Sequence, residues 1–269
     1  MPTTDIYLLG SDEPELRRLE AQGAALAPAT ATILRLAGLA PGMRVLDLGT
    51  GAGDVAFAAA DIVGPAGSVL GVDNSADALA WARRRRDARA LETVSFVQGD
   101  IGEPDPSRFD AVIGRLVLVY EPDPVAVLRR YVEGLPRGAI VVSMEFDMPA
   151  LRAVPSTPLL GTARGWVLSA FERAGLDPAL GIRLGRILEA SGIAEPQVFG
   201  VQDYAGPADP MRLLAGVIRT LLPAIERTGV ATADEVGIDT LESRLIAGFE
   251  GTNAVVLPPT LVGAWGRTD

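Results

Sequence analysis

Apolar runs that stop at a glycine or an acid alternate with helix-period segments through residues 43–148. The first run, Val45-Leu46-Asp47-Leu48, ends at Gly49-Thr50-Gly51-Ala52-Gly53-Asp54 and passes into the alanine-rich stretch 55–63. That pattern predicts a strand, a tight turn and a helix. Further strands are predicted at 68–73, 94–98, 109–114 and 139–144. An arginine-rich helix follows Asp73, and another spans 124–135 between Asp123-Pro124 and Pro136-Arg137-Gly138. Such alternation implies right-handed crossovers and a parallel sheet covered on both faces. A ligand then sits at the C-terminal ends of the strands.

The flanks read differently. Ser11 or Asp12 can cap a helix that carries acids in its first turn and continues through 16–22. A second helix is expected over 30–37, stopped by Gly38 and Pro41-Gly42. Beyond the alternating core, 149–158 reads as a loop, and 159–174 as an amphipathic helix carrying Trp166 and Phe171. A helix at 179–191 leads to a strand at 197–204. The apolar run from near Val255 through Pro258-Pro259 to Trp265 reads as one final strand. Between these two strands lie roughly fifty residues with two helical stretches, 209–227 and 233–249, a length that is functional more often than idle in a compact domain. Two roles stand open for them: a cap that sets substrate specificity, or an interface between copies of the chain. The organisation expected is an N-terminal helical segment over the site at 1–42, a core at 43–148, a helical insertion at 149–178, a core continuation at 179–206, a helical cap at 207–252 and the last strand at 253–269.

Composition narrows the chemistry. The 269 residues are 48% hydrophobic with a formal net charge of -10, enough for a sizeable core. That charge argues against nucleic acid or an anionic membrane as a partner, since phosphate neutralisation needs clustered cations. Arg83 to Arg86 is the one basic run, and it reads as a solvated helix face. Cysteine and histidine are both absent. A thiol nucleophile, a histidine base and the usual zinc sites are thereby excluded, which leaves carboxylate, tyrosine, arginine and backbone groups. No metal is expected. With no basic segment followed by an apolar stretch at the start, and no run long enough to span a bilayer, a cytoplasmic protein is expected.

Glycine lacks a Cβ and tolerates positive φ, so a glycine-rich strand-to-helix turn lets backbone approach a ligand closely. Here Asp47-x-Gly49-x-Gly51-x-Gly53 brings the third glycine one residue earlier than a dinucleotide fingerprint would, with Asp54 in that place. The motif resembles the first motif of the class I S-adenosylmethionine-dependent methyltransferases. Later segments resemble the family in order: Asp73 ending the second strand, Gly99-Asp100-Ile101 after the third, and Arg115 to Tyr120 followed by Asp123-Pro124 after the fourth. The resemblance covers about residues 7–200. It implies an α/β, Rossmann-like class I methyltransferase fold, with a seven-stranded mostly parallel sheet, N-terminal helices and helical cap insertions. It also implies S-adenosyl-L-methionine as cofactor and S-adenosyl-L-homocysteine as product. By the same resemblance Asp47, Gly49, Thr50, Gly51 and Gly53 form the first turn of the site, and Asp73 with Asn74 meets the ribose. Gly99, Asp100 and Ile101 meet the adenine, Arg115 the cofactor carboxylate or a substrate anion, and Tyr7, Arg18 and Gln22 face the ligand from the N-terminal helices.

Methyl transfer from a sulfonium is an in-line displacement that needs proximity, alignment and a dry pocket. An acceptor phenol, amine or ring carbon needs at most a base to take its proton. Glu145 is the first candidate, because the end of the fifth strand faces the substrate in this fold and burial raises a carboxyl pKa. Asp147 and Tyr120 come next; Tyr120 stands where many family members have a histidine. Tyr7 is a candidate for orienting donor or acceptor. Each has a structural alternative: Glu145 pairing an arginine, Asp147 capping a turn, Tyr120 packing at the surface, and Arg115 bridging to Asp54 or Glu121. The expected reaction is methylation of an O, N or C atom of a small molecule, as in bacterial natural product biosynthesis, by a chain able to form a homodimer through its cap helices. A cyclase or hydrolase on the same scaffold, or an inactive cofactor-binding partner subunit, would keep the same glycines and Asp73. The glycine spacing disfavours a nicotinamide dehydrogenase.

Overall fold

The computed structural model of the chain describes residues 13–269, with side chains from Glu20 onward. In chain order, α1 (Glu13–Leu36) leads to β1 (Arg44–Leu48), α2 (Asp54–Val63), β2 (Ser68–Asp73), α3 (Ala76–Ala88) and β3 (Val94–Gln98). Then come β4 (Ala111–Arg115), α4 (Pro124–Gly134), β5 (Ile140–Asp147), β6 (Arg152–Val154), α5 (Pro158–Arg173), α6 (Leu180–Ala190) and β7 (Gln197–Val201). The remaining elements are α7 (Ala208–Arg227), α8 (Ala233–Val236), α9 (Ile238–Ala247), β8 (Val255–Leu257) and β9 (Thr260–Arg267).

The chain forms two compact units. One comprises residues 13–145 with Gly181–Gly200 and Val262–Asp269. Its seven-stranded sheet has the order β3-β2-β1-β4-β5-β9-β7, and the ladders among the first five strands are parallel. The expected α/β sheet is therefore present. Gly138 N donates to Thr268 O at 2.9 Å and Thr268 N to Ala139 O at 3.0 Å, so β9 ends where β5 begins and runs against it. Val45, Leu46, Val112, Ile113, Ile140, Val141 and Val142 are all within 1% of complete burial, as expected of strands covered on both faces.

The other unit comprises Phe146–Leu180 and Val201–Leu261. Here β6 pairs antiparallel with β8, Val154 opposite Val255. The helices α5, α7 and α9 pack on one another through Leu160, Val167 and Phe171, through Ile218, Leu221 and Ile225, and through Leu241 and Leu245.

Several element boundaries differ from the expectation, each for a local reason. The two N-terminal helices are one: α1 runs through Pro28, which is exposed, so its ring points away from the packed face of the helix. The terminal apolar run is two strands, because Pro258-Pro259 cannot donate to a ladder; β8 joins the small sheet and β9 the large one. Gly237, at φ 55°, splits the expected helix 233–249 into α8 and α9. The loop expected at 149–158 holds β6, and β7 ends at Val201, leaving Ala205 to bridge Val256 alone.

Candidate active site

The turn after β1 is built by hydrogen bonds between neighbouring strands. Thr50 N donates to Val72 O at 3.0 Å, and Gly53 N to Thr50 O at 2.9 Å. Gly49, Gly51 and Gly53 take φ of 59°, 52° and 87°, a region that costs other residues but not glycine. A Cβ at Gly51 would meet nothing within 4 Å, so this backbone faces open space. Gly53 then caps α2, whose first residue is Asp54.

Asp47 lies beneath the turn, 1% exposed. Its Oδ2 accepts from Thr50 Oγ1 at 2.6 Å, while Oδ1 is buried with no hydrogen-bond partner among the described residues. Burial, with the Asp73 charge, pushes this carboxyl up to about 7, against the pull of the Thr50 hydroxyl, the Arg115 charge and the nearby Ala56 N–H. Opposite Asp47 in the β2 ladder stands Gly71, where a Cβ would come within 2.6 Å of Thr50 Oγ1. The glycine inside β2 thus makes room for the hydroxyl that holds Asp47.

Asp73, at the end of β2, ties the turn from the other side. Its Oδ2 accepts from Gly51 N at 2.8 Å and its Oδ1 from Ser75 N at 2.9 Å. Asn74 is exposed, and its carbonyl accepts from Gln98 Nε2 at 3.1 Å. After β3, Gly99 N donates to Asp73 O at 3.0 Å, Asp100 Oδ1 accepts from Gly102 N at 2.7 Å, and the carbonyl of Ile101 accepts from the hydroxyl of fully buried Tyr131 in α4. Burial pushes that phenol up to about 12, so it stays a donor.

At the end of β4, Arg115 Nη1 donates to Thr30 Oγ1 in α1 at 2.8 Å. Burial lowers its pKa, with Asp54 and Asp47 acting in the opposite sense. No direct ion pair joins Arg115 to Asp54; that acid is held by Arg85, at 2.7 Å, with both side chains only 14–15% exposed. Arg85 also donates to Ala52 O at 2.6 Å and stacks over Phe57, 5.3 Å from the ring centroid. The solvated face expected for the arginine run is thus corrected at this position: Arg85 clamps the glycine turn to α2. From α1, Gly23 meets the same acid so closely that a Cβ would lie 2.3 Å from the Asp54 carboxyl, and the half-buried Gln22 precedes it. Tyr7 precedes the described residues, and Arg18 lies where no side chain is described.

Glu145, near the end of β5, is 2% exposed. Its Oε1 accepts from Val117 N at 3.0 Å and from Leu118 N at 2.7 Å. Burial pushes its carboxyl up to about 8, opposed by the backbone N–H groups of Leu118, Val117 and Val119. Tyr120 closes the 3-10 turn that follows and is half-buried. Asp147 ends β5, half-buried and raised by burial, with the charge of Arg164 in α5 pulling it back; Arg164 Nε is buried without a partner among the described residues.

The sequence reading had selected the turn, Asp73, Arg115 and Glu145. It missed Thr30, Arg85, Val117 and Arg164. Of the supporting positions, only Gly71 carried a signal, as a glycine inside a strand. Among the described residues no group of three acids could hold a metal ion, and no helix is long and apolar enough to cross a membrane.

A methyltransferase-domain family model matches residues 39–158. The chain is 37% identical over 114 residues to aklanonic acid methyltransferase DauC of Streptomyces sp. (strain C5), covering 42% of this chain and 50% of that one. It is 35% identical over 135 residues to nocamycin O-methyltransferase of Saccharothrix syringae, covering 49% and 48%. It thus spans about half the length of the curated relatives it matches. Among solved structures, phosphoethanolamine N-methyltransferase 2 of Haemonchus contortus, in complex with phosphomonomethylethanolamine and S-adenosylhomocysteine, has a TM-score of 0.55 at 19% identity, over 90% of this chain and 52% of that one. That likeness is one of fold.

Proposed function

We infer, for a chain whose residues 39–158 match a methyltransferase-domain family model, that it transfers a methyl group from S-adenosyl-L-methionine to an O, N or C atom of a small molecule. The observation that carries this reading is Asp47. Its buried, unpartnered Oδ1 lies beneath a turn of three positive-φ glycines, of which the central one, Gly51, faces open space. A buried carboxylate oxygen lacks hydration and favours a cationic or N–H-bearing ligand.

The cofactor would supply an electrophilic methyl on its sulfonium. Asp47, Gly49, Thr50, Gly51 and Gly53 would hold its amino-acid end, and Arg115 its carboxylate. Asp73 and Asn74 would take the ribose, since each oxygen of Asp73 retains acceptor capacity beyond its backbone bond. Gly99, Asp100 and Ile101 would border the base, with Gln22 approaching from α1. For an acceptor that must lose a proton, Asp147 is the better base of the two β5 carboxyls, because it is half-buried whereas Glu145 is engaged by backbone donors. Tyr120 and Tyr7 are proposed to orient the acceptor. The names of the relatives, an aklanonic acid methyltransferase and a nocamycin O-methyltransferase, support an acceptor from natural product biosynthesis.

The test is isothermal titration with S-adenosylmethionine and S-adenosylhomocysteine, with NAD as control, followed by an acceptor screen with labelled methyl donor. Binding of both sulfur compounds and not of NAD is expected. Binding of NAD alone would end this reading.

A further inference from the structure

We propose that Glu145 is a positioning residue for the glycine turn after β1, acting from two strands away through Val117. Three consecutive amides leaving β4 are held by β5: Leu116 N donates to Met144 O at 2.8 Å, and Val117 N and Leu118 N donate to Glu145 Oε1. Leu116 itself takes φ 59°, a conformation that a branched side chain adopts only when its surroundings impose it. These anchors impose it.

The consequence falls on Val117. A Cβ at Gly49 would lie 2.6 Å from Val117 Cγ2, and one at Gly114 would lie 3.0 Å from Val117 Cγ1. Val117 is therefore wedged against the first glycine of the turn and against β4 at once. Gly49 cannot move toward β4 while Val117 stays, and Val117 stays while Glu145 accepts its N–H. The path runs from a carboxyl group at the end of β5, through one turn, to the backbone that precedes Thr50 and Gly51. It consists of packed atoms and hydrogen bonds, so it transmits displacement as a close-packed interior does. The ligand in this inference rests on the cofactor reading above; the mechanical link does not.

The experiment compares the full chain with Glu145→Gln, Glu145→Ala and Val117→Ala, and with Leu128→Ala in the buried face of α4 as a control for lost stability. Two quantities are read below the melting range of all variants: amide hydrogen exchange over residues 49–53, and the Kd for S-adenosylhomocysteine. Glu145→Ala is expected to speed exchange in 49–53 and to raise Kd by about tenfold or more. Val117→Ala is expected to do the same more weakly, and supplies the answer should Glu145→Ala fail to fold. Glu145→Gln, which keeps an acceptor oxygen, is expected to lie near the wild type. Unchanged exchange and Kd in both Glu145→Ala and Val117→Ala would overturn the proposal, as would equal changes in Leu128→Ala. Should the wild type fail to bind S-adenosylhomocysteine, the cofactor reading falls, and the exchange data alone decide the link.

Discussion

Arg115 donates a hydrogen bond of 2.8 Å to Thr30, a residue with no exposed surface 85 positions earlier in the chain. The contact joins the end of β4 to α1, so the N-terminal helix is part of the scaffold that orients the cation. Replacing Thr30 by valine keeps the shape and removes the acceptor. We expect Thr30→Val to cost about 1–3 kcal/mol in denaturant unfolding, together with weaker binding of S-adenosylmethionine. Unchanged unfolding and binding would mean that the guanidinium finds another acceptor.

Asp47 should make cofactor binding depend on pH. Its carboxyl is pushed up to about 7 in the folded chain, and a bound cation favours the ionised form. Binding then expels a proton at low pH, and affinity rises from about pH 5.5 to about pH 7.5 before levelling. Titration calorimetry of Asp47→Asn should show weaker binding and a flatter profile. A wild-type profile already flat over that range would mean that Asp47 does not titrate on binding.

Gly71 is expected to tolerate no side chain. Alanine there would meet Thr50 Oγ1 at 2.6 Å and Phe96 Cδ1 at 2.8 Å. Overpacking of this kind costs about 1–3 kcal/mol, and it would also push Thr50 away from Asp47. Gly71→Ala should therefore lower Tm and weaken the cofactor complex together, whereas Gly51→Ala, whose Cβ meets no protein atom within 4 Å, should act on stability through backbone strain and on binding by entering the space proposed for the cofactor.

Glu145 bears on stability as well. Unfolded, it releases its proton near its ordinary value of 4.5; folded, it holds it to about 8. Between those values the folded state binds the proton more tightly, so this group's contribution is full below about 4.5 and is lost as pH rises through about 8. Chemical denaturation of the wild type from pH 5 to pH 8.5 should show a steeper fall than Glu145→Gln, which has no proton to lose. Parallel curves would show that the backbone donors, and not burial, govern this carboxyl.

The parts of the site that were legible in the sequence are those whose cause is local. A strand, its turn and the following helix occupy adjacent residues, so the glycines between Asp47 and Asp54 announce themselves, as does the acid ending β2. The supports were not legible, because each joins residues far apart in the chain. Arg115 meets Thr30 across 85 residues, and Glu145 meets Val117 across 28. The run Arg83 to Arg86 gives no hint that two of its arginines turn inward, Arg85 to Asp54 and Arg83 to the carbonyl of Phe96. The unbroken α1 was hidden by Pro28, whose cost depends on which side of the helix faces water. At the other end the double proline was visible, but not that it divides one apolar run between two sheets.

The position of β9 between β5 and β7 carries a consequence for how the chain is made. It emerges from the ribosome after every other strand, yet it occupies an interior place in the seven-stranded order. Until it arrives, β5 presents an open edge of the kind that recruits foreign strands, and β7 has no place in the sheet. The parallel half can form during synthesis, but the sheet closes only when β9 slides in between. Holdase chaperones present at that late moment should therefore raise the yield of native protein more than those acting earlier.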